Sequence, residues 1–186
     1  MKRSRALSLL LTVPALALAG WLHGAEAKSH KLTTVSLKKM ADSLQAVIAA
    51  DNRVYMESVV DRLKASPPGE AVPNHADVLR RANRAIQQKG AEFSYTLRSL
   101  APLNPGQGPQ TEIEQQGMEF VAKNPGQSFY TEEELGGRAY FTAVYAQRAT
   151  LAACVDCHNQ HPRAPRKDQK PGDVLGALVI RIPLEF

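Results

Sequence analysis

Apolar positions in residues 33–66 recur at helical spacing. Met40, Leu44, Val47, Ile48, Tyr55, Val59 and Leu63 return to one side of a helix. This predicts one long amphipathic helix, ended by "SPPGEAVP" because adjacent prolines cannot continue it. A second helix is expected over residues 77–89, with Gly90 as its C-terminal cap. "EFSYTLRSL" alternates, placing Phe93, Tyr95 and Leu97 on one face of a strand. "NPGQGP" reads as a turn-rich loop, and a third helix follows over residues 111–122, stopped by "KNPGQ". The aromatic-rich runs "SFYTEEEL" and "RAYFTAVYAQ" flank Gly136 and Gly137, which is a hairpin pattern. Residues 149–158 read as a short helix, 159–172 as a Pro- and charge-rich loop, and "DVLGALVIRIPL" as a last β-branched strand. No repeat, low-complexity segment or internal linker interrupts this order. The pattern is α+β, with an antiparallel sheet and helices segregated from it. It excludes the all-helical layout of a small electron-carrying cytochrome c.

The N-terminus has a different pattern. Lys2, Arg3 and Arg5 precede an apolar run over residues 6–22, broken only by Ser8, Thr12, Pro14 and Gly20. "AEA" at residues 25–27 supplies the small residues a signal peptidase needs. Residues 1–27 therefore read as a secretory signal peptide. The rival is an uncleaved anchor, since the run is nearly long enough to span a bilayer. Pro14 and the small residues favour cleavage, leaving residues 28–186 as one domain in the periplasm with no membrane span.

Removing the signal changes the charge balance. The whole chain carries a formal +5; without three basic residues and Glu26 it has 20 basic and 17 acidic residues, a formal +3. That charge is small and dispersed, which argues against nucleic acid as a partner. Residues 132–134, all Glu, read as a solvated patch. A chain of this length can bury a core without disulfide staples.

The only two cysteines are Cys154 and Cys157, in "CVDCH". A disulfide between them would close a tiny loop and remove little unfolded-state entropy, so the thiols are chemical rather than structural. C-x-x-C-H is the pattern of covalent c-type haem attachment. Two thiols on one face of a helical turn can reach the two vinyl groups of one porphyrin. His158, next to the second thiol, can then present a nitrogen to the iron. Three other readings exist. A dithiol redox site normally follows a strand in a βαβ unit, whereas an Ala-rich helical approach precedes Cys154. A zinc site could use Cys154, Cys157, His158 and His161, but structural zinc sites usually draw on two separated pairs. The last is a chance match.

The sixth iron position decides the chemistry of such a haem. His30, His75, His161, Met40, Met56 and Met118 are its candidates, or it stays open. His161 leaves the same short segment as His158 and fits better as a polar neighbour of the haem edge. The methionines read first as core residues, and His75 first as a surface residue at a helix start. Arg163, Arg166, Lys167 and Lys170 are candidate partners of haem propionates, with plain solvation as the alternative.

"CVDCHNQHP" followed by "APRKDQKPGDVLGALVIRIPL" resembles the periplasmic PAS-like haem c family, found alone or fused to histidine kinases, cyclases and chemoreceptors. "YMESVVDRL" and "LRSLAPLNPGQGPQTEIEQQGMEFV" are similar to that family in order and spacing, so the resemblance covers most of residues 50–186. It implies a PAS-like antiparallel sheet packed on a long N-terminal helix, with one haem c per chain held against the sheet. Cys154 and Cys157 match its thioether positions and His158 its proximal ligand. Sensor members usually continue into a membrane helix and output domain. Here residue 186 follows directly on the last strand, so a stand-alone form is expected. With no third cysteine, a thiolate sixth ligand is excluded.

The expected function is that of an exported monohaem c protein that binds or senses a small gas such as NO or CO, or senses redox state. A soluble periplasmic electron-transfer cytochrome is the alternative. No enzyme activity is expected, because no convincing distal acid–base pair is present. The expected partners are a diatomic gas or a redox protein, and the aromatic-rich sheet and long helix allow a homodimer.

Overall fold

A computed structural model of the 186-residue chain describes residues 19–65 and 74–185, with side chains over 36–62 and 74–185. Most of the expected signal peptide, the side chains of His30 and Leu63, and the prolines expected to end the first helix lie outside these residues. The chain divides into two units, Met1–Ser36 and Leu37–Phe186. The described part of the first is helical from Ala19 onward. Everything below concerns the second.

The elements are α1 (Ala19–Ala65), α2 (His75–Gln88), β1 (Ser94–Arg98), α3 (Glu112–Lys123), β2 (Phe129–Leu135), β3 (Arg138–Arg148), α4 (Ala152–Gln160) and β4 (Val174–Pro183), with a single 3₁₀ turn at Pro105–Gln107. The expected α+β order is present. The four strands form one antiparallel sheet in the order β1-β4-β3-β2, with Tyr95 opposite Ile180 and Val144 opposite Val179. Gly136 (φ 61°) and Gly137 (φ 77°) make the β2–β3 turn. Two successive residues at positive φ match the twist of a hairpin, and glycine adopts them without strain.

Alternation along β4 builds two cores. Leu178, Ile180 and Ile182 join Tyr95, Phe141, Ala143 and Tyr145 under α1 and α2. Ala177 and Val179 join Val144, Met118 and Val121 under α3.

The inward stripe of α1 differs from the expected one. Leu37, Ala41 and Ile48 are buried and Leu44 packs against them, whereas Met40 and Val47 are 39% and 61% exposed. The helix is rotated by a bond network that hydropathy does not encode. The hydroxyls of Tyr130 and Tyr145 both donate to Asp42 Oδ1, at 2.6 and 2.8 Å. Burial and this bond push the Tyr145 phenol well above its ordinary pKa. Lys38 Nζ lies 4.6 Å from the centre of the Tyr130 ring. Asp42 points inward, so its neighbour Ala41 meets the core and Met40 turns outward.

α2 begins two residues earlier than expected, because Asn74 Oδ1 accepts the Ala76 N–H at 2.8 Å and caps the helix. It ends as expected at Gly90 (φ 81°), where the Gly90 and Ala91 amides donate to Gln87 and Ile86 carbonyls.

The face under α3 carries charge as well as apolar residues. Glu114 is 1% exposed and pairs with Arg98 Nε (3.1 Å) and Arg181 Nη1 (2.9 Å). Arg181 Nε also meets Glu133 Oε1 at 2.7 Å, and the Thr142 hydroxyl donates to the same oxygen at 2.6 Å. Two carboxylates thus face two guanidiniums. Removing one member would strand a buried charge, at a cost of about 3–5 kcal/mol. Among the described residues, no helix is long and apolar enough to cross a membrane.

α3 approaches the sheet closely at Gly117, where an added Cβ would lie 2.7 Å from Val144 Cγ2 and 3.0 Å from Phe129 Cδ1. Gly117→Ala is expected to destabilise the protein by about 1–3 kcal/mol through overpacking. Gly126→Ala, with nothing within 4 Å, should stay within about 0.5 kcal/mol of the parent. Urea midpoints of the two variants check this; equal midpoints would contradict the close packing.

Candidate functional site

The two cysteines lie on α4, inside an excursion from the sheet between β3 and β4. Its base is closed by backbone bonds: the Ala149 N–H donates to Asp173 O and the Gly172 N–H to Ala149 O, both at 2.9 Å. Ala149 is therefore a buried strand-end residue, and α4 starts at Ala152 rather than at 149. Gly172 (φ 91°) supplies the left-handed turn, and Asp173 Oδ2 accepts the Lys170 N–H at 2.9 Å. Farther out, Asn159 bonds the returning strand of the loop twice. Its Nδ2 donates to Gln169 O, and its Oδ1 accepts the Gln169 N–H, both at 3.0 Å. Where β4 restarts, an added Cβ at Gly176 would sit 2.5 Å from Arg98 O, so only glycine lets β4 pass the end of β1 at this distance.

Held this way, α4 forms one wall of a cavity of about 490 Å³ through Ala153, Cys154, Cys157, His158 and His161. Such a volume is typical of cofactor pockets. α1 contributes Asn52, Arg53 and Met56, and the start of α2 contributes His75. The sheet closes the cavity with Leu97 and Arg98 of β1, Ala146 and Arg148 of β3, and Leu175 and Ala177 of β4.

Cys154 is half-buried and Cys157 exposed, and both thiols are free. Contact with the wall and the neighbouring Cys154 raise the Cys157 thiol pKa. That opposes dithiol exchange, which depends on a lowered thiol pKa. The His158 imidazole is held below its usual pKa by burial and by His161, and His75 by burial and by His158. The two last-named imidazoles come from different helices and face one cavity. Among the described residues, no group of three or more His, Cys, Asp or Glu converges to hold a metal ion, so the four-residue zinc set is not assembled.

The donors fit a haem attached through α4. Two free thiols one helical turn apart and the adjacent imidazole line one cavity, whose walls are part apolar and part basic. The sixth-position candidates are now separated. Met40 is exposed and Met118 is buried in the α3 core, and neither lines the cavity. Met56, His75 and His161 line the cavity.

Of the expected propionate partners, only Arg163 reaches the cavity. Arg166 pairs with Asp168 at 3.0 Å in the exposed loop, and Lys167 and Lys170 are exposed outside the lining. The loop is pinned by Asn159 and Asp173, which turns these three side chains to solvent. Arg53, Arg98 and Arg148 stand at the cavity instead. Arg53, Arg98 and Asn52 are far from the CVDCH segment in the chain, whereas Arg148 lies just before it at the end of β3. The topology brings the end of β1 to α4, while β3 leads directly into it.

A two-core α+β domain with a C-x-x-C-H helix over a cavity defines the class. The chain belongs to the Tll0287-like family, whose model matches residues 27–183. The crystal structure of the cyanobacterial haem protein Tll0287 is similar at a TM-score of 0.41 and 16% identity, covering 70% of this chain and 95% of that one. No curated protein matches the sequence.

Asn159→Ala removes both bonds to Gln169, whose backbone then lacks partners. The expected loss is about 1–3 kcal/mol, with faster amide exchange confined to residues 150–172. Unchanged exchange there would show that the base bonds alone hold α4.

Proposed function

We propose that this protein is an exported, monohaem c, PAS-like domain that responds to redox state and passes the signal to a partner protein. The observation that carries this reading is the common cavity of Cys154, Cys157 and His158. The thiols would hold the porphyrin as thioethers, and His158 would be the proximal iron ligand. The bound haem would supply a one-electron iron centre; the protein would set its ligation and surroundings. The family takes its name from a protein described as a haem protein, which agrees with this chain's own attachment motif. An antiparallel sheet under a long helix supports a sensor-type module in place of a helical carrier. The basic N-terminal segment and its apolar run support export.

Gas sensing and redox sensing differ in their demand on the sixth position. A gas needs it open or weakly held. Here Met56, His75 and His161 line the cavity beside His158, so donors to close the iron are at hand. This favours redox response. Electron transfer with the same haem is the second reading, supported by the same donors. The proposal assigns no catalysis.

Expression of the full chain with a cytochrome c maturation system tests the reading. One covalent haem per chain is expected by mass, with a reversible one-electron spectral change on titration. Cys154→Ala with Cys157→Ala should lose covalent haem completely, and His158→Ala should keep it with abnormal ligation. A wild-type chain that leaves the maturation system without haem ends the proposal.

A further inference from the structure

Three donors remain for the far side of the iron, and the geometry distinguishes them. His161 follows His158 by three residues, on the same side of one helix. It is also the C-cap of α4, and its Nδ1 accepts the Arg163 N–H at 3.2 Å. Whatever α4 presents to one face of a ring, it presents both histidines from the same side. Met56 lies on α1 and carries a flexible, unbranched thioether. His75 comes from the first turn of α2, an element separate from α4.

The His75 imidazole is also oriented. Its Nδ1 lies 3.3 Å from Asn52 Oδ1, and with that oxygen as the acceptor Nδ1 is the donor. That leaves Nε2 with its lone pair. An imidazole that donates one N–H to an outer acceptor and offers the other nitrogen is the usual state of a metal-bound histidine. The backbone is fixed as well, since the Asn74 side chain caps α2 immediately before His75.

We infer that His75 is the second axial ligand of the haem, through Nε2, and that Asn52 is the positioning residue that fixes its tautomer. The inference rests on the haem c reading above. It makes the iron a six-coordinate bis-histidine centre that exchanges electrons and excludes diatomic ligands. It also connects the iron to α1, because Asn52 lies on that helix. A change of ligand strength at the iron therefore acts on α1 through the bond to Asn52.

The test uses the full-length holoprotein. Retention of covalent haem on a denaturing gel is scored first, so failure of attachment is seen separately from failure of axial assignment. The wild type is expected to be low-spin in both oxidation states, with the electron paramagnetic resonance signal of two imidazoles, and to show no CO shift when reduced. A His–Met spectrum, or an open iron that takes up CO, overturns the inference in the wild type itself. His75→Ala should keep covalent haem, become high-spin and bind CO when reduced, and added imidazole should restore the low-spin spectrum. Covalent haem with an unchanged spectrum in His75→Ala also overturns it. Met56→Leu should leave the spectrum unchanged.

Asn52 has its own readout. Asn52→Asp should lower the reduction potential by strengthening the bond to Nδ1–H, and Asn52→Leu should raise it, with low-spin haem in both. The Asn52→Leu shift at unchanged low-spin haem carries the assignment, because the charge of Asp lowers the potential by itself; an unshifted potential in Asn52→Leu would overturn it.

Discussion

The site depends on how the excursion between β3 and β4 is closed. Twenty-odd residues leave the sheet after Ala149 and return at Asp173. Two reciprocal pairs of bonds, Ala149 with Gly172 and Asp173, and Asn159 with Gln169, turn that loop into a defined arm. The energy involved is modest, roughly 1 kcal/mol for each bond. Its effect is positional. Without the clasp, α4 would be a two-turn helix with no buried residue and no side-chain N-cap, which is too short to hold its own orientation. With it, Cys154, Cys157 and His158 stand over the end of the sheet, where β1 stops and β4 begins.

The two faces of the sheet serve this end differently. Under α1 the core is apolar, and Asp42 locks the helix to Tyr130 and Tyr145. That bond pair sets the rotation of α1, and the same rotation turns Asn52 and Met56, about three and four turns farther along, to the cavity. Under α3 the sheet carries Arg98, Arg181, Glu114 and Glu133 as a compensated cluster. Arg98 belongs to both regions. Its Nε meets Glu114 while the residue also lines the cavity. Glu114 therefore already balances its charge, and Arg148 and Arg163 are better placed to meet an anionic group at the cavity.

What the sequence disclosed follows from the range of each interaction. CVDCH was visible as a pattern because its spacing is written within five residues, and the structure brings all three side chains to one cavity. The Gly136–Gly137 hairpin and the Gly90 cap were legible because each is a local backbone demand. The stripe of α1 was misjudged at Met40 and Val47 because hydropathy counts size. The structure selected Ala41 beside an inward aspartate. Lys167 and Lys170 are close to the motif in sequence yet face solvent, whereas Arg148 at the end of β3 lines the cavity. Buried Glu114 had no signal beyond the T-x-x-E pattern at the start of α3, where Thr111 caps its amide at 3.1 Å.

His75 shows the limit most clearly. Alone, a histidine after "VPN" at a helix start reads as a surface residue. Its partner Asn52 is 23 positions away on another helix, and His158 lies still farther along the chain. What makes it a ligand candidate is the meeting of three elements at one cavity, which no local pattern records. The same meeting ties the two ends of the molecule's chemistry together. A single iron held by α4 and α2 would link the arm between β3 and β4 to the α1 helix through one imidazole and one amide. A redox change at such a centre alters the basicity demanded of His75, and hence the strength of its bond to Asn52. Asn52 and Asp42 lie on the same helix, so a change at Asn52 acts on the element that Asp42 bonds to the sheet.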